Sequence, residues 1–172
     1  MKKSNRKGFT LVELVVVIAI IGILAAILVP TMMNYVKKSK LKTANSNAKL
    51  VFTTVNNEAA DLLVSGISVG QNDGYDSATE INSTLKAITI SDTSTAKDRL
   101  GHAVYEALKD NGDGAGWCLY KMGTTGNVEY AQWCDLNSTA TSKGVLGQYP
   151  DPCKDADKAN KAFTTSKITN WG

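Results

Sequence analysis

The chain of 172 residues has one histidine, three prolines and three cysteines. Each shortage removes a class of reading. With one histidine and no H-E-x-x-H, G-x-S-x-G or phosphate-cradling glycine loop, only scattered carboxylates remain, so the parts of a hydrolase, metalloprotease or nucleotide enzyme are missing. Cys118, Cys134 and Cys153 have no C-x-x-C spacing. A Cys3His zinc set completed by His102 is therefore weaker than a surface histidine on a short helix. Asp110-Asn111-Gly112-Asp113-Gly114 places glycines where a calcium loop needs its third and fifth oxygen ligands, and it is read as a turn. Among the aromatics of the N-terminal third, Phe9, Tyr35 and Phe52 would be spaced by about 39 and 26 Å of helical rise, too far apart for a conducting stack. No cofactor, metal or small-molecule substrate is called for.

Charge is also missing, but only locally. From Leu14 to Val36 no residue is charged, and the 21 residues from Phe9 to Val29 would cover about 31 Å as a helix, one bilayer core. A cleaved secretory signal is the rival reading, although no A-x-A pattern closes this run. Lys2, Lys3, Arg6 and Lys7 supply four of the 19 basic residues. Without them the balance is 15 basic to 16 acidic, so the formal charge of +3 belongs to the N-terminus and a nucleic-acid partner is disfavoured. Lys37, Lys38, Lys40 and Lys42 follow the apolar run, where they suit lipid headgroups.

Beyond the run, Leu41, Ala44, Ala48, Val51, Val55, Ala59 and Leu62 recur every three or four residues, a helical stripe with no Pro or Gly before Gly66. The pattern predicts one helix from Phe9 to Val64, about 84 Å long, with Gly22 and Pro30 as its only weak points. The residues from Ser65 to Thr95 read as a polar connection holding Ala87-Ile88-Thr89-Ile90. Lys97–Lys109 reads as a second helix, and Trp117–Met122 with Val128–Cys134 as a hairpin. The last 38 residues read as mostly loop, with a final strand near Ala162–Ile168.

Glu13 needs a reason. A carboxylate four residues into an apolar span costs about 2.5–3.5 kcal/mol on insertion scales, so it has either a partner or the helix dipole to satisfy it. Its setting, Lys7-Gly8-Phe9-Thr10-Leu11-Val12-Glu13-Leu14 after a basic leader, resembles the prepilin signature of type IV pilins. The resemblance covers Lys7 to Val36 closely and is compatible in pattern to Val64. It implies that a prepilin peptidase cuts between Gly8 and Phe9 and methylates the Phe9 amine, with the leader in the cytoplasm and the head outside. It implies that Glu13 pairs with the Phe9 amine of a neighbouring copy during assembly, to which Thr10 would add a hydroxyl. It also implies that the stretch from Gly22 to Pro30 kinks or melts on packing.

The fold expected is α+β, with a long N-terminal helix on a small antiparallel sheet. Its divisions are a leader at 1–8, a membrane and polymerisation helix at 9–30, an amphipathic continuation at 31–64 and a head at 65–172 with an αβ-type loop. Three cysteine pairings are open, and so is the absence of any disulfide. Cys118 with Cys134 depends on a hairpin register that Gly123–Asn127 does not settle, whereas Cys134 with Cys153 resembles the disulfide-bounded C-terminal loop of many pilins. The function implied is the structural subunit of a pilus filament, a homopolymer built by pilus assembly machinery from a single-pass inner-membrane precursor. A pseudopilin of a type II secretion system, or a DNA-uptake pilin, uses the same N-terminus and is the alternative.

Overall fold

The computed structural model describes residues 8–111, 115–139 and 141–172. Residues 1–7 of the leader, 112–114 of the Asp110–Gly114 turn, and 140 lie outside these. One helix, α1, runs Leu11–Val64 and is followed by a 3-10 turn at Gln71–Asp73 and strand β1, Tyr75–Glu80. A π-helical turn at Ile81–Leu85, helix α2 at Ala96–Leu108, and strands β2, Trp117–Met122, and β3, Val128–Cys134, come next. Three short strands close the chain: β4, Gly144–Val145, β5, Gly147–Tyr149, and β6, Asn160–Lys161. The main sheet is antiparallel in the order β1-β2-β3-β5, and β4 pairs with β6.

Two units make up the chain, 1–37 and 38–172. In the first, every described residue is exposed, and the helix is long and apolar enough to cross a bilayer. α1 is assigned without a break through Gly22 and Pro30, although Pro30 has no N–H to give. The Thr31 hydroxyl donates to the carbonyls of Leu28 at 2.8 Å and Ile27 at 3.3 Å in the same turn.

In the second unit the predicted stripe is the seam of the core. Leu41, Ala44, Ala48, Val51, Val55, Ala59 and Leu62 are all buried, joined by Asn47. Contact is closest at Gly147 on β5, where an added Cβ would overlap the backbone of Ala44, so only glycine lets strand and helix meet there. α1 then stops in a Schellman turn. The Ile67 N–H donates to the Leu62 carbonyl at 2.9 Å and the Gly66 N–H to that of Leu63 at 3.1 Å, with Gly66 at φ 80°. α2 begins with a capping box, in which the Thr95 hydroxyl accepts from the Asp98 N–H while the Asp98 carboxylate takes the Thr95 N–H.

The hairpin falls where its alternation placed it. Two expectations need correction. The polar connection contains β1, whose Tyr-Asp-Ser-Ala-Thr-Glu has only Thr79 buried. An edge strand held by backbone pairing to β2 shows no apolar alternation for a sequence reading to find. The final strand near Ala162–Ile168 does not form. The chain pairs instead at Asn160–Lys161, and residues 164–168 are held by side-chain amides.

Candidate functional site: the capped start of α1 and the cysteines of the head

α1 starts on Thr10, and Glu13 is the third residue of its first turn. The Thr10 N–H and hydroxyl both donate to Glu13 Oε2, at 2.9 and 2.7 Å, and the Glu13 N–H returns to Thr10 Oγ1 at 3.3 Å. This is a reciprocal capping box: two of the four N–H groups that a helix start leaves unpaired find side-chain oxygens here. The spacing Thr10-x-x-Glu13 carries that motif in the sequence itself, and the expectation of a Thr10 hydroxyl near the N-terminus falls on this bond. Both bonds that the carboxylate accepts from Thr10 end on Oε2, which leaves Oε1 available on an exposed turn.

The other N-terminal residues are placed simply. Phe9 is 84% exposed. A Cβ added at Gly8 or at Gly22 would meet nothing within 4 Å, so no packing within the described chain demands a glycine at either position.

All three cysteines are buried free thiols. The β2–β3 register sets Cys118 opposite Trp133 and Trp117 opposite Cys134, so Cys118 and Cys134 point to opposite faces of the sheet, and the hairpin pairing is removed. Cys118 lies in the main core, where desolvation pushes its thiol up to about 12. Cys134 lies under Gly144, where an added Cβ would come 2.5 Å from its sulfur. Burial raises that thiol to about 11. Cys153 sits with Leu41 and Ala159 and donates to the Asp155 carbonyl at 3.1 Å, so Cys134 and Cys153 are unbridged here. His102 lies on α2 beside a surface groove of about 460 Å³ that Glu58, Arg99 and Glu106 also line.

Residues 3–29 match the prokaryotic N-terminal methylation motif. The N-terminal helix of the chain is similar to that of type IV pilins. Over 53 residues it is 47% identical to the type IV major fimbrial protein FimA of Dichelobacter nodosus, covering 31% of this chain and 34% of that one. It is 49% identical over 49 residues to the type IV major pilin protein PilA of Myxococcus xanthus, covering 28% and 22%. Against the fimbrial protein EcpC of Eikenella corrodens the identity is 57% over 44 residues, covering 26% and 29%. The matched part thus spans about a third or less of these pilins. No solved structure matches the chain.

Sequence reasoning missed the polar centre of the 38–172 unit. Gln132 and Gln148 are fully buried and joined by a 3.0 Å bond, and together they hold the tail. Gln132 Oε1 accepts from the Thr164 N–H, while Gln148 Oε1 accepts from the Ile168 N–H and its Nε2 donates to the Ile168 carbonyl. Asn45 on α1 bonds the same region, through the Cys153 carbonyl at 2.8 Å and the Gln148 N–H at 3.3 Å. One signal was available: Gln132 interrupts an otherwise apolar run from Tyr130 to Cys134.

Proposed function

We propose that this chain is a prepilin whose mature form is a structural subunit of a type IV pilus. The carrying observation is the match over 3–29 to the methylation motif, on a helix exposed all round from its start to Lys40. In this reading the leader at 1–8 stays in the cytoplasm and is cut between Gly8 and Phe9, and 9–30 holds the precursor in the inner membrane. Residues 31–64 continue the helix into the head at 65–172. The partners are prepilin peptidase, the assembly machinery and other copies of the chain, and the polymer ends outside the cell.

Removal of the leader leaves Thr10 and its amide in place, so the capping box survives processing and holds Glu13 in a defined position. The new ammonium at Phe9 of a neighbour then meets Oε1. Each charge gains a partner in a dry environment, where an unpaired one would be costly. Gly22, which no packing among the described residues requires, and Pro30, which cannot donate, mark the stretch of α1 that gives way when helices crowd.

Mass spectrometry of the mature protein tests the reading. The expected N-terminus is N-methylated Phe9 with nothing before it. A start near Ala26 would return the segment to an ordinary secretory signal.

A further inference from the structure

Of the asparagines in the chain, only Asn82 and Asn137 have Ser or Thr two places on. Their settings are alike. Glu80-Ile81-Asn82-Ser83-Thr84 and Asp135-Leu136-Asn137-Ser138-Thr139 each read acid, apolar, Asn, Ser, Thr. Asn-x-Thr without an intervening proline is the triplet in which an asparagine amide accepts a sugar on an exported surface, and alone it is a weak signal. Acids make up 16 of the 172 residues, so an acid at the same offset before both asparagines is a coincidence of about one in a hundred. The repeated acid adds a charge that a cation on a transferring enzyme can read.

The structure separates the two copies. Asn137 lies in no helix or strand and is exposed, on an arch whose feet are buried. One foot is Cys134, the last residue of β3; the other is Ser138, whose hydroxyl donates to the Lys161 carbonyl and accepts from the Gly144 N–H. Asp135, Leu136 and Thr139 are exposed with it. Asp135 faces Lys40 at 3.7 Å in a solvent-reached pair, which holds it only weakly from another cation. Asn82 is exposed too, but it is wound into the π-helical turn Ile81–Leu85 between two fully buried side chains, and the Ser83 hydroxyl already donates to Glu80 Oε2 at 2.7 Å.

We propose that Asn137 is a modification site, the acceptor of an oligosaccharide transferred from a polyprenyl diphosphate carrier by a membrane oligosaccharyltransferase. The proposal rests on the filament reading, which puts the head outside the membrane. In the transfer, the Asn137 amide nitrogen bonds to the anomeric carbon of the sugar as the bond from that carbon to the diphosphate breaks. The amide gives one proton to a base of the enzyme, and the polyprenyl diphosphate leaves with the electron pair. Asp135 and Thr139 are positioning residues: the carboxylate meets a cation of the enzyme, and the hydroxyl supplies a hydrogen bond beside the amide. Asn82 has the same letters in a turn that must unwind before an enzyme can take it, so it is the poorer acceptor.

The test is made in cells that produce the full chain with a bacterial oligosaccharyltransferase and a lipid-linked oligosaccharide of known mass. Mass spectrometry of the mature protein and its peptides should find that mass on Asn137, at least about tenfold more often than on Asn82. Asn137→Gln should remove it, Asp135→Asn and Thr139→Ala should each lower occupancy at least about tenfold, and Thr139→Ser should retain it. All four change exposed side chains, and melting curves in detergent check that the head still folds. A bare Asn137 in a chain that begins at methylated Phe9 would overturn the proposal and leave the filament reading intact. So would sugar carried on serine or threonine in its place, more sugar on Asn82 than on Asn137, or occupancy indifferent to Asp135 and Thr139. A bare chain with its leader still attached would overturn both the proposal and the reading beneath it.

Discussion

Gln148 has no exposed surface, and its amide is fully used: Oε1 accepts from Gln132 Nε2 and the Ile168 N–H, and the two hydrogens of Nε2 are shared among the carbonyls of Ile168, Pro150 and Asp151. An unmade bond to a buried group costs about 1–3 kcal/mol, so Gln148→Ala should destabilise the head by about 3 kcal/mol. Hydrogen exchange should show the loss first at Thr164 and Ile168, with β2 and β3 still protected. Cys118 acts through protonation. Its thiol must stay neutral in the core, raised from 9.0 to about 12, while the unfolded chain ionises near the ordinary value. Stability from this group is therefore complete below pH 9 and falls as pH rises towards 12, by a total on the order of 4 kcal/mol. Tyr120, also fully buried and raised well above 10.0, pushes the same way. Urea unfolding at neutral pH and at about pH 10.5 measures the fall, and a flat profile would show that neither group is sealed in the core.

At the scale of elements, the start of α1 separates two roles of Glu13. Glu13→Ala removes both the capping acceptor and the charge, and it makes membrane insertion easier. Glu13→Gln keeps an acceptor for the Thr10 N–H and hydroxyl but cannot neutralise an ammonium. Both variants should insert and lose their leader, and both should assemble poorly when sheared filaments are counted. Normal assembly by the glutamine variant alone would assign Glu13 to capping and not to pairing. Elements whose bonds follow a period were legible beforehand: the stripe of α1, the alternation of β2 and β3, and the amphipathic α2. The edge strand β1 and the amide-held tail were not, because backbone pairing and long-range side-chain bonds leave no periodic trace. The N-terminal motif was legible for a different reason, since it is packed into eight consecutive residues.

For the molecule as a whole, the close approach of Gly147 to Ala44 has a consequence in time. The seam of the head joins residues made early to residues made late: Asn45 bonds partners 103 and 108 positions away. Closing contacts of such separation is slow, and during synthesis it cannot begin until β5 has emerged. The stripe from Leu41 to Leu62 therefore stays incompletely covered while about a hundred residues are still being made. A chain arrested just before Gly147 should leave that helix open to added protease, and one released after Gly172 should not. Equal resistance in both would mean that the hairpin alone can cover the stripe. The interval between the two is a window in which the nascent chain has only its own unfinished strands to shelter the stripe.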